Sequence, residues 1–189
     1  MIGELPISLN VGGKQYAIRS DYREILNIFQ AFNDDSLSKQ EKAYICLKCL
    51  YVNYDDIPIN DLQEAIEKAF WFCDGGDMPK SKPEKVKSFD WDHDQSILFP
   101  AINTVAGYEV RTPDKYMHWW TLLGYFGEIR DGLFSTVMNI RNKKLHGKKL
   151  DKGEIEFYNH NRNLVDIQTA KDKAEIEETE AFLKELLGE

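Results

Sequence analysis

The stretch Phe89–Leu145, FDWDHDQSILFPAINTVAGYEVRTPDKYMHWWTLLGYFGEIRDGLFSTVMNIRNKKL, holds three of the chain's four tryptophans and two helix starts. Thr112-Pro113-Asp114 predicts the opening of a helix, since proline suits a first turn, and Tyr116, Trp119, Trp120, Leu123 and Phe126 follow at helical spacing. A stripe that broad has to be buried. Gly132 interrupts the pattern, after which Leu133, Val137, Ile140 and Arg141 recur turn by turn as a second amphipathic helix. The stretch therefore predicts a helical core hairpin. It contains no catalytic constellation, so its residues define a helical domain before they define an activity.

Working outward, 189 residues with 42% hydrophobic content suffice for one core with mobile ends. The expected fold is mainly α, a single helical-bundle domain with a short N-terminal β-hairpin. The formal net charge of -8 disfavours a general nucleic-acid binder, because phosphate binding draws on clustered Lys and Arg. Protein partners fit that charge better. No apolar run reaches the roughly 18 residues of a membrane span, and the N-terminus lacks the basic and apolar regions of a signal peptide. A cytosolic protein is expected, and three cysteines outside any small secreted framework agree with a reducing compartment.

The hairpin comes from ISLNVGGKQYAI, residues 7–18. Ile7, Leu9 and Val11 alternate up to Gly12-Gly13, and Tyr16 and Ile18 alternate after it, the pattern of two strands joined by a primed two-residue turn. A phosphate loop would need a longer glycine spacing and a following Ser or Thr, which Gly12-Gly13-Lys14 lacks. Such a hairpin is marginal alone, so it packs on helices or pairs with another chain through its open edge. Ser20 or Asp21 caps the next helix, whose buried face is Ile25, Leu26, Ile28, Phe29 and Phe32. Ser38 with Glu41 forms a capping box for a second helix, with Ala43, Ile45, Leu47, Leu50 and Tyr51 as its apolar surface. A third helix, capped by Asn60 with Gln63, buries Leu62, Ile66, Ala69 and Phe70 and stops at Gly75-Gly76.

These segments organise the chain as 1–74, the hairpin plus three helices; 75–88, a Pro-, Lys- and Ser-rich linker; 89–148, the aromatic-rich helical core; and 149–189, a partly mobile C-terminal extension. In that extension residues 151–164 suggest a short helix. Residues 170–188 suggest a terminal one, with Ile176, Leu183 and Leu187 on one face and a supporting Glu180–Lys184 pair.

Four groups invite chemistry. Cys46-x-x-Cys49 lacks the second pair that a four-ligand zinc site needs, since only Cys73 remains, so core cysteines are expected. Asp90, Asp92 and Asp94 with His93 resemble a hard-metal cluster, but they fall at a helix start, where carboxylates cap and meet the positive end of the dipole. His118 has no nucleophile or carboxylate visibly placed to make it a general base. Arg141-Asn142-Lys143-Lys144-Leu145-His146 resembles the Arg-to-His motif of the HEPN family of helical ribonucleases, in which both residues act on the scissile phosphate. The same six residues also read as a basic helix C-terminus ended by Gly147. No catalytic, cofactor-binding or metal residue is assigned.

Four separated motifs carry a broader resemblance. They are Gly13-Lys14-x-Tyr16-x-Ile18 with Asp21-Tyr22-Arg23; Ala69-Phe70-Trp71-Phe72 before Gly75-Gly76; Phe89-Asp90-Trp91; and His118-Trp119-Trp120 followed by Phe134-Ser135 and Met138-x-Ile140-Arg141. In this order they resemble the bacteriophage gp-fifteen family, encoded in the tail-morphogenesis region of tailed phages and prophages. Pro100, inside what the family would make a continuous helix, and the acidic C-terminal extension depart from its pattern. The resemblance implies a non-enzymatic tail assembly chaperone, or its downstream partner product, in the cytoplasm of the bacterial host. Its partners would be the tape-measure protein and the major tail protein, with self-association open, and with no membrane or nucleic acid involved. It further implies that His118, Trp119, Trp120 and Arg141 mainly define the fold, the aromatics by supplying core area and Arg141 by pairing with a buried or semi-buried carboxylate. A HEPN-like ribonuclease of toxin type using Arg141 and His146, and a structural tail component, are the alternatives.

Overall fold

The computed structural model describes residues 3–76 and 88–167. Residues 77–87 of the linker expected over 75–88, and the terminal helix expected over 170–188, lie outside the described residues. The chain is mainly helical, with eight α-helices and one two-stranded antiparallel hairpin among the described residues. It divides into two compact units, one comprising Met1–Glu84 with Ser96–Asp131 and the other Lys85–Gln95 with Gly132–Glu189.

The first unit starts with β1 (Ser8–Val11) and β2 (Lys14–Ala17), paired Val11 to Lys14 and Leu9 to Tyr16. Gly12 and Gly13 form the two-residue turn, and both have positive φ, 57° and 78°, as a type I′ turn requires. Period-two alternation puts Leu9, Val11, Tyr16 and Ile18 in the core. Three helices follow: α1 (Tyr22–Asn33), α2 (Lys39–Leu50) and α3 (Leu62–Cys73). Asp21 caps α1 by accepting the Arg23 N–H, and Ser38 with Glu41 forms the expected capping box on α2. At the other end of α2, Arg19 donates to the carbonyls of Lys48, Cys49 and Tyr51, filling acceptors that a helix end leaves unpaired.

Local signals mislead at α3. Asn60 and Gln63 do not form its cap; a 3-10 turn over Ile59–Asp61 leads into the helix, and Gln63 bonds Glu67 instead. Phe70 is 43% exposed, with its ring edge on Phe32, while Phe72 is buried in its place. The stop is as expected: Gly76 N–H reaches the Trp71 carbonyl and Gly75 N–H that of Phe72, a Schellman ending with positive φ at both glycines.

Helix α4 (Trp91–Ala106) runs continuously through Pro100, and Ile97, Leu98, Phe99 and Ile102 of its first-unit part are buried. Helix α5 (Trp119–Gly127) corrects the sequence expectation, because it starts at Trp119 and not at Pro113. Long-range bonds take the intervening segment. Asp21 accepts the Met117 N–H, the Met117 carbonyl accepts the Tyr22 N–H, and the Ser20 carbonyl accepts the Trp119 N–H. Tyr116 is accordingly 58% exposed and its hydroxyl bonds that of Ser20.

The second unit contains the first turn of α4, then α6 (Leu133–Leu145), α7 (Lys152–His160) and the single turn α8 (Arg162–Val165). Phe134, Val137, Ile140 and Arg141 face inward on α6, so Leu133, 48% exposed, is not part of the buried face. Asp151 and Glu154 form a reciprocal capping box on α7, and the single helix expected over 151–164 is interrupted at Asn161, which separates α7 from α8.

Candidate functional site

In the first unit the polar centre is His118-Trp119-Trp120. His118 is 3% exposed and caps α5: its Nδ1 accepts the Trp120 N–H at 3.0 Å while Nε2 lies 2.9 Å from the Pro6 carbonyl. A carbonyl cannot donate, so Nε2 carries the proton. Both ring nitrogens are thereby committed, and no general-base position is left. Trp119 and Trp120 donate their indole N–H groups to the carbonyls of Cys73 and Phe72 at 2.8 and 2.9 Å, tying α5 to the end of α3. The Trp120 ring lies against Gly76, where an added Cβ would come within 2.8 Å.

Cys73, at the same helix end, meets Cys46 of α2. Cys46 and Cys73 are buried and Cys49 is half-buried. A hydrogen bond with Cys46, and then burial, push the Cys73 thiol far up; burial also raises Cys49. Neither is a reactive thiolate.

In the second unit the polar centre is Arg141, 4% exposed. Its Nη1 and Nη2 each bond one oxygen of Asp94 at 2.7 Å, in the bidentate geometry of a guanidinium and a carboxylate. Nε donates to the Val165 carbonyl, Nη2 also to that of Leu164 at 2.8 Å, and Nη1 also to that of Ser88 at 3.3 Å. All five guanidinium N–H groups are used. Asp94, with no exposed surface, is the buried carboxylate that the resemblance implied for Arg141.

The acidic trio divides by role. Asp90 accepts the N–H groups of Asp92 and His93 and so caps α4; Asp92 accepts from Gln95; Asp94 turns inward. No group of His, Cys, Asp and Glu among the described residues could hold a metal ion. Of the ribonuclease pair, Arg141 is buried with its donors engaged, while His146 is exposed past the end of α6, its Nδ1 2.8 Å from the Asn142 carbonyl. Lys143 and Lys144 pair with Glu154 and Asp166, which holds the Glu154 carboxyl below its usual range.

A site that sequence reasoning located only as a hairpin edge is a cleft of about 350 Å³ in the first unit. Pro6, Ser8, Leu9 and Asn10, with Gln15 of β2, border it on one side and Glu67, Lys68 and Trp71 of α3 on the other. The signal for it was the exposed, even-numbered half of β1. Its helical neighbour could not be read from spacing.

What these sites define is a helical protein whose buried polar groups are committed to structure, with a strand edge and a cleft on its surface. The chain belongs to the Bacteriophage Gp15 protein family, whose family model matches residues 1–167. No curated protein and no solved structure gives a significant match. No helix among the described residues is long and apolar enough to cross a membrane.

Proposed function

We propose that this phage protein is a tail assembly chaperone, which binds the tape-measure protein in the cytoplasm of the infected host and helps recruit the major tail protein. The observation that carries the proposal is the match to a phage family over residues 1–167 in a chain whose sharpest catalytic candidate, Arg141, has every donor engaged within the protein. A ribonuclease needs that guanidinium for the phosphate. A chaperone needs surface, and the open strand edge and its cleft supply it. The net charge of -8 would help keep a complex with an apolar client in solution.

Co-expression with a soluble fragment of the neighbouring tape-measure protein, followed by size-exclusion chromatography with light scattering, tests this. A co-eluting complex, with the fragment insoluble when made alone, is expected. Absence of binding to any tail protein, together with RNA cleavage abolished by His146→Ala, would replace the proposal with the ribonuclease. Retention of the protein in finished particles would make it a structural tail component.

A further inference from the structure

The ladder of the hairpin fixes which main-chain groups are unused. Val11 pairs with Lys14 across the two-residue turn, and the Ile18 N–H bonds the Ile7 carbonyl at 3.0 Å. Hydrogen-bonded pairs alternate along an antiparallel ladder, so Ile7, Leu9 and Val11 bond to β2 and the N–H and C=O groups of Ser8 and Asn10 point away from it. The outer edge of β2 is already occupied: its Ala17 carbonyl accepts the Val52 N–H at 3.0 Å, and the Arg19 N–H reaches the Leu50 carbonyl at 2.7 Å. No main-chain group among the described residues takes the corresponding positions of Ser8 and Asn10.

Ser8 and Asn10, which carry those open groups, line the 350 Å³ cleft together with Gln15 of β2, with Pro6 and Trp71 as its apolar residues and Glu67 and Lys68 on the helical side. The edge chemistry selects the occupant. A helix has its backbone groups satisfied internally and cannot use a strand edge, whereas an extended peptide brings an alternating row of donors and acceptors. Charge narrows it further. Glu67 is held by Gln63 at 2.8 Å, while Lys68 makes no ion pair among the described residues.

We propose that this cleft takes an extended polypeptide strand from another chain, added to the β1 edge at Ser8 and Asn10 and carrying a carboxylate side chain opposite Lys68. That the strand comes from a tail protein rests on the chaperone assignment above. The acceptor site does not.

The test therefore uses a random twelve-residue peptide library, selected on the full chain, and one enriched peptide synthesised for binding and for amide exchange by NMR. Binding should slow exchange at Ser8 and Asn10. Asn10→Pro, which removes one outward N–H at an edge position that tolerates proline, should weaken the peptide by about ten-fold, the worth of one net hydrogen bond. Lys68→Glu should weaken it as well, and exchanging the peptide's acidic residue for lysine should restore binding to that variant. If Asn10→Pro does not fold, the Lys68 charge exchange decides. The site is overturned if no peptide is enriched, if the charge exchange has no effect, or if Ser8 and Asn10 stay unprotected in the complex. Protection that grows with protein concentration alone, meaning that a second copy occupies the edge, also overturns it. A peptide that passes while the tape-measure fragment fails to bind would keep the acceptor site and remove the chaperone.

Discussion

Replacing Arg141 by Met keeps length and apolar bulk but deletes all five donors. Asp94, with no exposed surface, would then be a buried carboxylate without its cation, a loss that costs about 3–5 kcal/mol. The carbonyls of Val165, Leu164 and Ser88 lose donors at the same time, each worth about 1 kcal/mol net, less where water can enter. Together the variant should lose about 4–8 kcal/mol, comparable with the whole stability of a small domain. Removing the carboxylate as well, in Asp94→Leu with Arg141→Met, takes away the uncompensated charge and should recover about 2–4 kcal/mol of that loss. Urea unfolding followed by circular dichroism would measure both, with amide exchange over residues 162–166 showing whether the α8 turn is released. A loss below about 1 kcal/mol in Arg141→Met, or strictly additive effects in the double variant, would refute the reasoning. The guanidinium would then be loosely held and free to meet a phosphate.

Other expectations follow from single contacts. His118→Ala removes the α5 cap and the bond to the Pro6 carbonyl, and should lower stability by about 2–3 kcal/mol in a thermal melt, with His118→Asn recovering the cap share. Gly76→Ala should cost about 2–4 kcal/mol, more than Gly13→Ala, because both have positive φ but only at Gly76 would the new methyl meet the Trp120 ring. Glu109 has its carboxyl lowered to about 2 by hydrogen bonds from Arg111. Its contribution is therefore present above the ordinary Glu value of about 4.3 and lost as pH falls towards 2, so the melting-temperature difference between the protein and Glu109→Gln should shrink over that window. The thiols of Cys46 and Cys73 should react with a thiol reagent at least about ten times more slowly in the folded than in the urea-unfolded protein, since both are buried and Cys73 is pushed up.

What could be read from sequence was whatever a few neighbouring residues decide. Gly12-Gly13 needed only its flanking alternation, and the Ser38–Glu41 box only its own turn. The errors arose where a distant partner outweighed a local signal. Pro113 suits a helix start, yet Asp21 and Ser20 claim the amides of Met117 and Trp119 and delay α5 to Trp119. Phe70 and Phe72 are both plausible core residues on α3, and only the packed neighbours make Phe72 the buried one. Arg141 could be expected to need a carboxylate, but Asp94, 47 positions earlier, was indistinguishable in sequence from Asp90, which caps α4, and from Asp92. The edge was legible as an edge. That Leu50–Val52 covers one side and leaves the other was not, because α2 has to end before it can supply that cover.

That one-sided cover sets a valence. With the β2 side taken by its own chain, each copy would have room for a single incoming strand on this hairpin, so on the proposed function the number of client segments held would equal the number of copies present. A long client would be covered by adding molecules one at a time, each independently exchangeable, and the coat would come off in the same piecemeal way.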